Sequence, residues 1–167
     1  PLDGSEHGEL AALKECFESE KAAYIRDGGR YEMSNAEKKA QNFNDRLINI
    51  ASLDFEICSA GYAIYKRTVV FEGEDVWFDC YYDSNSGYNE PVRIKYDGCS
   101  RIDFINALET VSIGEWKLFY SDRYATEGTS WNLDIAYSDG TGNFKSSGVN
   151  AWPYNFYALE QLLGVPV

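Results

Sequence analysis

The feature that most constrains the fold is an order of residue types that the chain shows twice, from Tyr65 to Glu109 and from Trp116 to Glu160. Each run contains, in turn, a Glu-Gly pair, a tryptophan, aspartates with tyrosines, a lysine, a glycine, a phenylalanine and an Ala-Leu-Glu triplet. Such self-similarity indicates an internal duplication, with repeats at 64–110 and 115–161. The alternative is that two similar strand, turn and helix units share tryptophans and Asp-Gly turns by coincidence.

Two helices are predicted before the repeats. Residues 8–26 place four apolar side chains along one helical stripe, and Asp27 with two glycines after it ends the helix. The stripe consists of Leu10, Leu13, Phe17 and Tyr24. A second helix begins at Ser34, because Glu37 three residues later completes a capping box, and its apolar positions continue to Ile50. We expect these helices to pack as a hairpin against a sheet or against a partner.

From Leu53 onward the apolar period changes to two, which is typical of strands with one buried and one solvated face. Glycine, proline and Asp-Gly turns divide the remaining sequence into further elements. The predicted strands cover residues 53–57, 62–71, 76–82, 92–96, 116–120, 130–137 and 143–147, and helices follow Ser100 and span 153–163. The predicted fold is therefore α+β, with an N-terminal helical hairpin followed by two tandem β-β-β-α units with antiparallel sheets.

Length and composition indicate a folded chain. With 167 residues, 44% hydrophobic and 16% aromatic, the chain is long enough to bury a core without metals or disulfides. Residues 1–5 resemble the remnant of an expression tag, residues 6–50 form the helical segment, and residues 51–167 form the α+β domain. An alternative interpretation is that the chain is an accessory domain of a larger protein.

The charge balance constrains the partners. The chain has 15 basic and 27 acidic residues, for a net charge of -12. Such a field opposes direct binding to nucleic acid, whose phosphates require lysine and arginine, and favours a basic protein surface as the partner. The alternative is that acidity serves only solubility.

Few catalytic classes fit this sequence. The single histidine, His7, leaves Ser-His-Asp catalysis, Cys-His catalysis and a zinc site without the imidazoles they need. Phosphate-binding glycine motifs are absent. The pairs Asp79 with Asp83 and Asp134 with Asp139 could serve a glycosidase, although such carboxylates are ordinary on solvated strands and in Asp-Gly turns. We predict no enzyme activity, no cofactor and no metal.

The cysteines and the hydropathy pattern bear on location. The four cysteines lie far apart without a C-x-x-C pair, which favours reduced thiols and a cytoplasmic location. No apolar run approaches the roughly 20 residues of a membrane span, so no membrane partner is predicted. A monomer and a homodimer both remain open.

The aromatic residues suggest a contact surface, because 13 Tyr, 9 Phe and 4 Trp exceed what a core of this size requires. We predict a non-enzymatic binding domain with an acidic, Tyr/Trp-rich surface. One version, by analogy with anti-restriction and anti-CRISPR proteins, is an inhibitor that mimics nucleic acid and occupies the basic groove of a nucleic-acid-processing enzyme. The alternative is a small-ligand or carbohydrate-binding module with Trp77 and Trp131 in equivalent sites. The candidate binding residues are Trp77, Asp79, Tyr81, Asp83, Tyr88, Trp131, Asp134, Asp139 and Trp152.

Overall fold

A computed structural model describes residues 4–59, 63–83, 90–122, 124 and 128–165. The helices are α1 (Gly4–Arg26), α2 (Asn35–Arg46), α3 (Arg101–Thr110) and α4 (Phe156–Leu162), and short 3-10 helices span Leu47–Asn49 and Ile113–Glu115. The strands are β1 (Ile50–Ser59), β2 (Ala63–Glu72), β3 (Asp75–Asp83), β4 (Val92–Ser100), β5 (Phe119–Ser121), β6 (Thr129–Tyr137) and β7 (Phe144–Val149). The predicted α+β class is confirmed.

All described strands belong to one sheet with the order β4-β3-β2-β1-β6-β7-β5. Neighbouring strands are antiparallel except β5 and β7, which are parallel. The two predicted β-β-β-α units are not confirmed, because β2, β3 and β4 form a meander whereas β5 pairs with β7 and not with β6. The predicted strand 116–120 is also mostly irregular, since Trp116 is buried in the core and only Phe119–Ser121 pairs.

Both predicted capping boxes are present. Ser34 accepts a hydrogen bond from the backbone N–H of Glu37, whose carboxylate accepts one from the N–H of Ser34. Ser100 and Asp103 form the same reciprocal pair before α3. The last helix begins later than predicted, at Phe156, because the segment from Pro153 forms a turn first.

The core lies on one face of the sheet. Inward-facing strand residues and the apolar sides of α3 and α4 form a single buried cluster, which includes Leu53, Phe55, Val69, Leu133, Ile135, Phe104, Leu108 and Leu159. The rings of Trp116 and Trp131 meet edge to face in it, with centroids 5.6 Å apart, and Phe156 packs against both. α2 joins this side through buried Phe43, whose ring contacts Phe144 at 4.8 Å.

The predicted packing of α1 is not confirmed. α1 contacts the rest of the chain through Lys14, which bonds to Glu115 at 2.6 Å, and through Lys21, which bonds to Glu37 at 2.9 Å. The large apolar side chains that the structure describes in this helix are exposed, namely Leu13, Phe17, Tyr24 and Ile25. The described N-terminal helices therefore differ, since α2 packs through apolar side chains and α1 through charged ones.

Candidate functional site: the open face of the sheet

The second face of the sheet carries polar and charged side chains, and we call it the open face. Strand register places one side chain from each of six strands in a single row across it. In sheet order, the row consists of Arg93, Asp79, Thr68, Asp54, Asp134 and Lys145. The row is acidic in its middle and has a cation at each end.

The centre of the row holds two carboxylates at one register position. Asp54 of β1 lies directly opposite Asp134 of β6. Like charges placed directly opposite each other destabilise a sheet. Neighbouring groups reduce this repulsion: Thr68 Oγ1 donates to Asp54 at 2.5 Å, and Lys145 Nζ and Asn143 Nδ2 donate to Asp134 at 2.5 and 2.8 Å.

The β3–β4 end of the open face is a network of ion pairs around Trp77. Arg93 pairs with Glu72 at 2.7 Å and with Asp79 at 3.5 Å, while Lys95 pairs with Asp75 at 2.8 Å. Both cations lie over the Trp77 ring, 5.2 and 5.8 Å from its centroid. The indole Nε1 of Trp77 is buried and makes no hydrogen bond to the described residues.

The open face is acidic overall. In its described part, strand alternation places seven acidic and four basic side chains: Asp54, Glu56, Glu72, Asp75, Asp79, Asp83 and Asp134 against Lys66, Arg93, Lys95 and Lys145. Glu56 forms no ion pair with the described residues, whereas Asp54 has Lys66 at 4.0 Å. Ion pairs thus neutralise part of the charge at the β3–β4 end and at Asp134, whereas Glu56 of the central strand β1 has no ion-pair partner in the described part of the chain.

Five of the nine predicted binding residues lie on this face, namely Trp77, Asp79, Tyr81, Asp83 and Asp134. The hydroxyl of Tyr81 donates to Asp83 Oδ2 at 3.3 Å. The structure therefore brings most of the predicted set to one surface.

Trp131 is a correction to that set. It faces the core, is 1% exposed, and its indole N–H donates to the carbonyl of Ala151 at 2.9 Å. It lies opposite Ile57 of β1, on the side covered by helices. Trp77 and Trp131 therefore lie on opposite faces of the sheet and do not occupy equivalent positions.

The remaining predicted residues lie elsewhere. Asp139 belongs to the β6–β7 turn, where the hydroxyl and then the backbone N–H of Thr141, together with the amide of Asn49, donate to it and lower its pKa. Trp152 is 37% exposed and follows β7, at the other end of the β6–β7 hairpin. Tyr88 lies outside the described residues.

Sequence reasoning did not include Asp54, Glu56 and Arg93 among the site residues. The signal for the first two was present, because they alternate with the apolar residues of β1. Their proximity to Asp134 could not be predicted, since β1 pairs with β6, and four other strands and the helix α3 lie between these two strands in the chain.

A shallow depression of about 320 Å³ lies beside Leu118, Asp134 and Lys145. Within the described ranges there is neither a group of three or more potential metal ligands nor a helix long and apolar enough to cross a membrane. Comparison of the chain with protein-family models, with curated proteins and with solved structures finds no match.

Proposed function

We propose that this chain is a non-enzymatic protein-binding domain whose open face contacts a basic surface of another protein. The observation that carries the proposal is the directly opposed pair Asp54 and Asp134. Like charges at directly opposite positions disfavour the free chain, and the contacts of Asp134 with Lys145 and of Asp54 with Thr68 offset this repulsion. Basic side chains of a partner would relieve it further, so the pair favours a complex over the free protein.

Aromatic side chains beside the acids support the same proposal. Trp77 and Tyr81 project from β3 on the open face, one residue position on either side of Asp79 along that face. Rigid rings provide contact area at little cost in conformational entropy. Acidic groups next to aromatic ones suit arginine in particular, because a guanidinium both pairs with carboxylates and stacks on rings.

The inhibitor that mimics nucleic acid is a narrower version of this proposal. In it, the central carboxylates Asp54, Glu56 and Asp134 replace phosphates in the basic groove of a nucleic-acid-processing enzyme. Arg93 and Lys145 at the two ends of the row would repel such a groove. The broader proposal, contact with a basic protein surface, therefore has more support.

The alternative functions have less support. A carbohydrate module with paired tryptophan sites loses one of its two platforms, because Trp131 is buried in the core. An accessory role within a larger protein is compatible with the same open face, since a binding surface works equally well in a longer chain.

The experiment is affinity capture with two variants that lose the same negative charge. The open-face variant combines Asp54→Asn, Glu56→Gln and Asp134→Asn. The control variant combines Asp27→Asn, Glu32→Gln and Glu74→Gln, which are exposed residues outside the open face. Each bait is incubated with host lysate at low salt and eluted at about 1 M salt, where the screening length is about 3 Å.

We expect the unmodified chain and the control variant to retain a basic protein that salt releases, and the open-face variant to retain about tenfold less of it. Displacement of the captured protein from the bait by duplex DNA or RNA would support the nucleic-acid mimic. Equal recovery by both variants would refute the open face as the binding surface, because it would show that only overall charge matters.

A further inference from the structure

The helix α1 carries a second exposed surface, distinct from the open face, and we call it the α1 stripe. It consists of Leu13, Phe17 and Tyr24, which are 67%, 46% and 55% exposed. Spacings of four and seven residues place these side chains on one side of a helix. Large apolar side chains grouped on one exposed side of a helix indicate a contact site rather than the scattered apolar exposure of an ordinary surface.

The orientation of the stripe is fixed by the charged side of the same helix. Lys14 donates to Glu115 at 2.6 Å and to Ser112 at 2.9 Å, and Lys21 donates to Glu37 at 2.9 Å. These contacts turn the lysine side of α1 toward the domain.

The loop after α1 supports the stripe at its edge without covering it. The ring of Tyr31 meets that of Phe17 edge to face, with centroids 6.4 Å apart, and Lys21 Nζ lies 4.7 Å from the Tyr31 centroid. Gly29 lies so close to the Tyr24 ring that a Cβ at this position would come within 2.4 Å of it. Phe17 and Tyr24 are thus held in place while about half of each remains accessible.

The charges beside the stripe indicate the chemistry of its partner. On the inner edge, Lys14 and Lys21 are neutralised by Glu115 and Glu37. On the outer edge, Glu9 and Glu20 are exposed and form no ion pair with the described residues. The unneutralised charge that α1 itself places beside the stripe is therefore negative.

We propose that the α1 stripe binds a basic amphipathic helix of another protein. In this mode, apolar residues of the partner at helical spacing pack on Leu13, Phe17 and Tyr24, and lysines or arginines beside them pair with Glu9 and Glu20. A second copy of this chain fits less well, because it would bring an equally acidic helix and a net charge of -12.

The test uses two synthetic peptides of about three heptads with identical leucine and lysine composition. One has leucine at the a and d positions, so its helix is amphipathic, and the other has the same residues in an order that gives no apolar side. Binding of each labelled peptide is measured by fluorescence polarisation at several salt concentrations. The difference between the peptides separates recognition of a helical stripe from attraction to charge alone.

Three variants of the chain complete the design. Leu13→Gln with Phe17→Gln removes most of the stripe while keeping good helix formers. Glu9→Gln with Glu20→Gln removes the outer charges. Ile48→Gln is the matched control, since Ile48 is 57% exposed but lies outside both α1 and the open face. Circular dichroism of each variant checks that helix content is unchanged.

We expect the unmodified chain and the Ile48→Gln variant to bind the amphipathic peptide about tenfold more tightly than the reordered peptide. The stripe variant should bind both peptides equally, and the charge variant should bind the amphipathic peptide severalfold more weakly with less dependence on salt. Equal binding of both peptides by the unmodified chain would overturn the proposal. An unchanged affinity of the stripe variant would also overturn it. A third contrary outcome would be a chain that forms a dimer through α1 and does not dissociate when the peptide is added.

Discussion

Two regions of this protein are held together by different kinds of contact. One is the sheet with its helices α3 and α4, and the other is the N-terminal helix α1. In the first region the contacts are apolar, and Leu108 of α3 is fully buried. In the second they are ion pairs and hydrogen bonds of Lys14 and Lys21, with Leu13 exposed. The formation of a helix and the side on which it packs are therefore separate questions.

The two kinds of contact differ in free energy. Burial of apolar surface contributes roughly 25 cal/mol per Å², whereas ion pairs between partly exposed side chains contribute about 0–1 kcal/mol each. The sheet and its helices should therefore unfold together, and α1 should separate from them at a lower cost. Local opening of α1 would leave the open face intact.

The largest effect is expected for a core leucine. Leu108→Ala removes a fully buried side chain between α3 and the sheet and should lower the free energy of unfolding by about 2–5 kcal/mol. Urea denaturation followed by the fluorescence of buried Trp116 and Trp131 measures this loss. A loss below about 1 kcal/mol would show that α3 packs far more loosely than the structure indicates.

The cap of α3 gives the next largest effect. The backbone N–H of Asp103 donates to Ser100 Oγ at 3.2 Å, and Ser100→Ala removes this acceptor. The free energy of unfolding should therefore fall by about 1 kcal/mol. The matched control is Ser121→Ala, because Ser121 is exposed. Equal stability of the two variants in urea would mean that the capping box contributes nothing.

The attachment of α1 should depend on pH through Glu37. Its carboxylate accepts hydrogen bonds from Lys21, Tyr31 and the N–H of Ser34, and these lower its pKa to about 2. Because the pKa is lowered in the folded state, the stabilisation is complete above the ordinary value of 4.5 and is lost as the pH falls toward 2.

Hydrogen exchange measures this local effect. After correction for intrinsic rates, protection in the C-terminal half of α1 should decrease between pH 4.5 and 2 while protection in β1 and β6 persists. Glu37→Gln should give weak protection of α1 at every pH. Parallel loss of protection in α1 and in the central strands would instead show that α1 and the sheet open as one unit.

Much of the local structure could be predicted from the sequence, because its signals act over a few residues. The serines Ser34 and Ser100 mark the starts of α2 and α3, and the alternation that begins at Leu53 marks β1 and its buried side. These signals depend on backbone hydrogen bonds and on the period of side chains along one element.

The arrangement of the elements could not be predicted in the same way. Trp77 and Trp131 occupy similar places in the sequence pattern, yet Trp77 lies on the open face and Trp131 faces the core. A strand can present a tryptophan to either side, and the choice depends on which strands pair and in which register. The opposed pair Asp54 and Asp134 depends on the same long-range pairing, so the centre of the candidate site was not visible in the sequence.

The smallest effect is expected for Leu13→Ala, and it is the sharpest test of the comparison because it makes the same chemical change as Leu108→Ala. Leu13 is 67% exposed on α1, and alanine is an equally good helix former, so the free energy of unfolding should change by less than about 0.5 kcal/mol. Urea denaturation of both variants under one set of conditions measures the difference. If Leu13→Ala costs as much as Leu108→Ala, α1 must be buried in solution, either against the domain or against a second molecule, and the contrast between the two regions fails.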